Sequence, residues 1–215
     1  MKLRFSTLAA LALSLWLSAC ATISIEPLPE GLTNQPPSDW SQRQLQLQAL
    51  QHWQLQGKLA VRQPSDSGSA VINYWTQHQE AFELSLSSSF LGLGTTELKG
   101  VPGFISLTLP DGETYQSGDP EGLVQAATGW QLPITSLPWW IRGLPSPASD
   151  YNLFFDADQK VAMIRQDGWE IRYDRWNQFM ADKPELPARI TAVKGEKRVR
   201  LAVTHWQPLG AEPSL

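Results

Sequence analysis

The most reactive side chain in this sequence of 215 residues is its one cysteine, at position 20. Lys2 and Arg4 give a positive start, Leu8 to Leu17 form an uncharged apolar run, and Leu17-Ser18-Ala19-Cys20 closes it with small residues before the thiol, a lipobox pattern. The chemistry this suits is acylation. After cleavage before Cys20, the thiol can carry a diacylglycerol and the freed amine a third acyl chain. The apolar run is shorter than the roughly 20 residues needed to span about 30 Å of hydrocarbon, so export followed by cleavage is the reading it supports. At about 0.8 kcal/mol per buried methylene, two or three chains make a stable anchor where one holds weakly. The competing reading, a cleaved signal with an incidental thiol, leaves a lone exposed cysteine in an oxidising compartment.

Other chemistry finds little support. His52, His78 and His205 are not spaced with other ligand-forming residues as a zinc or catalytic pair would be, so no metal or cofactor is expected. Ser87, Ser88 and Ser89 lack an obvious base nearby, no Gly-x-Ser-x-Gly elbow occurs, and Asp156 and Asp158 read as turn residues. Distant carboxylates can still be assembled by a fold, so a hydrolase stays open as an alternative. Phe90-Leu91-Gly92-Leu93-Gly94 offers a Gly-x-Gly without the following helix or third glycine of a nucleotide site. Its apolar side chains either tuck under a sheet or stand exposed as a finger for a bilayer.

The elements around these residues are mostly short strands. Trp53, Leu55, Gly57, Leu59 and Val61 alternate with more polar residues, the period of a half-buried strand. Further strands are expected over 69–76, 81–86, 95–99, 103–109, 113–116, 151–156, 161–166, 169–175, 188–193 and 198–206, eleven in all. That spacing suggests an antiparallel barrel or sandwich. Three helices are expected. The first runs from Ser38 as N-cap to about His52. The second spans Pro120 to Thr128, behind the cap Asp119 and before Gly129. The third runs from near Ser136 to Gly143, with Trp139, Trp140, Ile141 and Leu144 clustered on it. The domain plan is a signal peptide over 1–19, a lipidated, proline-rich tether over 20–37, one domain over 38–208 and a disordered tail over 209–215.

Without residues 1–19 the chain carries 15 basic and 21 acidic groups, a net charge of −6. No basic stripe marks it as a nucleic-acid binder. With no second cysteine, stability must come from burial. Nine tryptophans remain after residue 19, each able to bury a large flat surface, either as core or as walls of an apolar cavity.

Several segments in order carry a family resemblance: the lipobox, Gly57-Lys58-Leu59-Ala60, Tyr74-Trp75, Leu93-Gly94-Thr95-Thr96-Glu97-Leu98, Leu132-Pro133, Trp140-Ile141-Arg142-Gly143-Leu144-Pro145, Gly168-Trp169-Glu170-Ile171-Arg172-Tyr173 and Trp206. The chain resembles the LolB family, outer-membrane lipoproteins that receive other lipoproteins from the periplasmic carrier LolA and insert them into the inner leaflet. Ala21, in place of an aspartate after the cysteine, agrees with outer-membrane residence on the periplasmic side. The fold this implies is mainly β with helices: an incomplete, curved antiparallel β-barrel of about eleven strands under a helical lid, over a cavity for acyl chains. It also implies lipidation at Cys20 and a membrane-insertion loop whose family leucine corresponds to Leu93, lengthened here by Phe90 and Leu91. Trp75, Trp140, Ile141, Leu144 and Trp169 are expected to line the cavity. The implied partners are a LolA-like carrier, triacylated lipoprotein clients and outer-membrane lipid, with the receptor itself a monomer. A lipid-anchored structural or assembly factor with a dry core is the alternative from another class.

Overall fold

A computed structural model describes residues 29–88 and 94–210. Eleven strands form one antiparallel sheet: β1 (His52–Gln63), β2 (Asp66–His78), β3 (Ala81–Ser87), β4 (Thr95–Val101), β5 (Phe104–Thr108), β6 (Thr114–Ser117), β7 (Tyr151–Phe155), β8 (Val161–Gln166), β9 (Trp169–Asn177), β10 (Leu186–Lys194) and β11 (Lys197–Pro208). Their order is β6-β5-β4-β3-β2-β1-β11-β10-β9-β8-β7. Two meanders are therefore joined at a central β1–β11 seam, and the outer strands β6 and β7 do not pair with each other. The expected incomplete, curved barrel of eleven strands is borne out.

Curvature is built into the seam. Both pairings of β1 shift register beside Gly57, a bulge that bends and twists the strand. A Cβ at Gly57 would sit 2.2 Å from the Ala202 carbonyl oxygen, so only glycine lets β11 approach this closely. Burial along β1 alternates as its sequence does, with Trp53, Leu55, Leu59 and Val61 facing inward. Tight connections hold the outer hairpins. Asp167 and Gly168 both have positive φ between Gln166 and Trp169, the two-residue type I′ geometry that matches strand twist.

The helices fill the gap between the sheet's two edges. α1 (Trp40–Gln48) precedes the sheet, whereas α2 (Pro120–Thr128) and α3 (Leu137–Trp140) lie in the connection from β6 to β7. The bounds of α2 agree with the sequence. The Asp119 side chain accepts from the Gly122 N–H at 3.0 Å, and Gly129 ends the helix at φ 73°. α1 differs from the expectation. Its N-cap position is Asp39 rather than Ser38, without a side-chain cap bond, it stops at Gln48, and His52 begins β1. The chain turns there because the Leu50 and Gln51 N–H groups bond three and two residues back, to Leu47 and Ala49, instead of four. α3 is one turn long, shorter than expected.

Residues 1–28 and 211–215, and with them Cys20, the signal segment, the first half of the tether and most of the tail, lie outside the described residues. Thr33 exchanges backbone hydrogen bonds with Phe155 at 3.0 and 2.8 Å and so covers part of the β7 edge. Attachment to the body thus starts ahead of Ser38. Among the described residues, no helix is long and apolar enough to cross a membrane.

Candidate lipid-binding site

The concave face of the sheet and the 118–150 connection enclose an apolar interior occupied by large side chains. Trp53 packs between Trp75 and Trp206, with ring centroids 5.6 and 4.7 Å away. The five residues expected to line a cavity, Trp75, Trp140, Ile141, Leu144 and Trp169, are all buried in one continuous core. They do not form one wall. Trp140 and Trp169 are neighbours at 6.2 Å and border a crevice of about 350 Å³ beside Leu132. Trp75 sits in the tryptophan stack of β1, β2 and β11, and Ile141 and Leu144 pack inside.

The Trp140–Pro145 segment owes its shape to a helix stop. The Gly143 N–H bonds the Trp140 carbonyl at 2.9 Å and the Leu144 N–H bonds the Trp139 carbonyl at 3.1 Å, the paired closure of a Schellman motif. Gly143 supplies the required left-handed residue at φ 77°. Leu144, next along, is fully buried.

Polar groups then lock this segment to the sheet. Gln166, buried on β8, accepts from Trp140 Nε1 and the Ser146 N–H, both at 2.9 Å, and donates to the Ser146 carbonyl at 2.7 Å. Tyr173 on β9 donates its hydroxyl to the Trp140 carbonyl at 2.9 Å, and burial raises its pKa well above the usual phenol value. Arg142 donates from Nε to the Pro138 carbonyl and from Nη1 to the Leu50 carbonyl, both at 2.9 Å, and its guanidinium lies 4.7 Å from the Trp139 ring centre. Burial lowers its pKa to about 10. These contacts make α3 a fixed plug. α2 is held more lightly: of its residues only Val124 is buried, and Glu121 ties it to Thr135 through a 2.7 Å hydroxyl bond. Of the two, α2 is the element freer to move.

A second crevice, of about 330 Å³, lies on the other side of this plug. Its floor is one row of the sheet: Gln77, Phe82, Gly100 and Ile105 are successive partners across β2 to β5. The Phe82 ring occupies the space above Gly100, where a Cβ would lie 2.1 Å from Cε1. Pro138, Trp139 and Arg142 form the opposite side. Both crevices fall near the lower end of the size range of small-ligand sites.

Sequence reasoning missed Gln77, Arg142 and Gln166, since these types are ordinarily exposed and nothing in their spacing marks them as buried. It also treated the histidines as isolated, yet the β1–β2 register pairs His52 with His78, Nδ1 atoms 3.3 Å apart. No third ligand accompanies them: among the described residues no group of three or more His, Cys, Asp or Glu could hold a metal. The finger residues Phe90, Leu91 and Leu93 lie outside the described residues. Their connection joins β3 to β4 next to the Ser87–Thr95 pair, at the opposite end of these strands from the Phe82–Gly100 pair. Five residues of strand separate the two ends, about 17 Å.

The site is therefore an open, curved sheet wrapped around an apolar core, plugged by a short helical connection and flanked by two crevices. Residues 51–206 match the family described as "Outer membrane lipoprotein LolB". The chain is 63% identical over 191 residues to the outer-membrane lipoprotein LolB of Marinobacter nauticus, covering 89% of this chain and 92% of that one. To that of Pseudomonas aeruginosa it is 38% identical over 201 residues, covering 94% and 95%. The chain belongs to the LolB family. Its role as a lipoprotein receptor of the outer membrane, expected from the sequence, rests on that membership. Among solved structures, a putative outer membrane lipoprotein-sorting protein domain from Vibrio parahaemolyticus superposes with a TM-score of 0.52 at 9% identity, covering 80% of this chain and 92% of that one. A DUF1329 family protein from Desulfovibrio piger gives 0.52 at 7% identity, covering 78% and 90%. These two likenesses concern the fold alone.

Proposed function

We propose that this protein is anchored by acylated Cys20 on the periplasmic side of the outer membrane, takes triacylated lipoproteins from a LolA-like carrier and releases their acyl chains into the inner leaflet. It works as a binding protein rather than an enzyme, and as a monomer. The observation that carries this reading is the interior itself. A continuous apolar core is roofed by the one connection that bridges two unpaired sheet edges, with α3 fixed and α2 lightly held. Such a roof can lift without breaking a sheet ladder.

The energetics need no fuel. Acyl chains in water cost about 0.8 kcal/mol per exposed methylene, so a client moves from one apolar interior to the next without release. Direction follows if this interior holds the chains more tightly than the carrier does, and the bilayer more tightly still. Trp140 and Trp169, beside the first crevice, meet the incoming chains first as α2 lifts, and Trp75, Ile141 and Leu144 lie deeper in the same apolar core. The Phe90, Leu91 and Leu93 loop contacts the bilayer during release.

The test is uptake of an apolar fluorescent probe by the full chain carrying Cys20→Ala. The probe should bind and be displaced by an acylated client. A protein that takes up neither probe nor client would contradict the reading and favour a lipid-anchored assembly factor with a permanently dry core.

A further inference from the structure

The second crevice carries two polar groups that its apolar lining does not explain. Gln77 is 5% exposed. Its Nε2 donates to the Gln79 carbonyl at 2.8 Å, which fixes the amide orientation, and its Oε1 has no hydrogen-bond partner. An unpaired buried acceptor is costly, and a donor brought into the crevice would relieve that cost. Arg142, 6% exposed, faces the same crevice. It donates from Nε and Nη1 to carbonyls, and no carboxylate among the described residues pairs with it. A guanidinium has five N–H donors, so it keeps donors for a further acceptor. Glu80, the acidic residue of the lining, is exposed at the turn after β2, where water screens it.

An unpaired acceptor and a buried cation lining one crevice match a neutral amide, whose N–H can meet Gln77 and whose carbonyl can meet Arg142. They oppose an ammonium, which would be buried beside a like charge with poor screening. The acylated N-terminal cysteine of a lipoprotein presents one of these two groups: an amide when its nitrogen is acylated, an ammonium when it is not.

We infer that Gln77 and Arg142 form a headgroup subsite that reads the N-acyl amide of a client's terminal cysteine and rejects clients whose α-amine is free. This rests on the lipoprotein-receptor reading and adds to it a selectivity for the acylation state. The crevice holds the polar junction of the client, and the apolar interior beside it takes the chains.

The test uses two synthetic lipopeptides of identical sequence with an S-(dipalmitoylglyceryl)cysteine at the N-terminus, one with a free amine and one N-acetylated, so that the long chains are the same in both. Dissociation constants are measured by displacement of an apolar fluorescent probe from the full chain carrying Cys20→Ala. The N-acetyl form should bind at least tenfold more tightly. Arg142→Gln should bring the two forms within about threefold, mainly by tightening the free-amine form. Gln77→Leu should weaken the N-acetyl form about fivefold and leave the free-amine form unchanged. Circular dichroism checks that each variant is folded; if Arg142→Gln is not, Gln77→Leu decides. Equal binding of both peptides by the unsubstituted protein, or a preference that survives in a folded variant, overturns the subsite while leaving the receptor reading intact. Binding of neither peptide overturns both.

Discussion

Replacing Gly143 by alanine tests whether the Trp140–Pro145 plug is shaped by its backbone. Gly143 has φ 77°, where a residue with a Cβ loses roughly 1–2 kcal/mol. The added methyl would also lie 2.5 Å from Trp176 Cη2. Relief requires moving an indole stacked 5.3 Å from Tyr173, which itself bonds the plug. Overpacking of this kind costs about 1–3 kcal/mol, so the sum is about 2–5 kcal/mol. Equilibrium urea unfolding followed by tryptophan fluorescence measures it. Repeating the substitution on Trp176→Leu separates the two contributions, because the smaller side chain removes the collision and leaves the dihedral strain, about 1–2 kcal/mol. A loss below about 0.5 kcal/mol in the unsubstituted protein, or the same loss in both backgrounds, would refute the steric argument.

The other locks give further tests. Gln166→Leu leaves Trp140 Nε1 and both backbone groups of Ser146 without their partner, and should cost about 3 kcal/mol or more by urea unfolding; a cost under about 1 kcal/mol would show that the clamp is dispensable. Tyr173→Phe should cost about 1 kcal/mol at neutral pH. It should also flatten the alkaline decline: the folded state holds the Tyr173 proton above pH 10 while the unfolded state releases it, so stability falls as pH rises past the unfolded value, and a variant that declines as steeply as the parent would contradict this. Leu93→Glu should leave folding and client uptake unchanged and block insertion into liposomes, scored by flotation; normal insertion would remove the loop from the mechanism.

What the sequence disclosed follows from the range of the forces involved. Alternation made β1 readable because its inward face is apolar and its outward face polar, and Asp119-Pro120 with Gly129 bracketed α2 because capping is local chemistry. The end of α1 was overrun, since Leu47, Ala49 and Leu50 continue a helical pattern while the backbone turns into β1. The β1–β11 seam, which joins residues 136 to 155 apart, has no local signature. The row from Gln77 to Ile105 stayed hidden because it is set by the registers of three successive strand pairings and is covered by Pro138, Trp139 and Arg142 from far along the chain. Gln77, Arg142 and Gln166 were unreadable as site residues for the same reason: what buries them is brought in by other strands. The five residues expected to line a cavity all lie in the core, but which of them share a wall depends on register, and only Trp140 and Trp169 border the same crevice.

Downhill transfer through an apolar interior can be followed as a stepwise handover. A LolA-like carrier loaded with a radiolabelled lipoprotein is mixed with the full chain carrying Cys20→Ala, first without and then with liposomes, and the label is followed by pull-down and flotation. The label should leave the carrier for this protein without ATP, and leave this protein for liposomes when they are added. Label that stays on the carrier, or reaches liposomes at the same rate when this protein is omitted, would contradict the account.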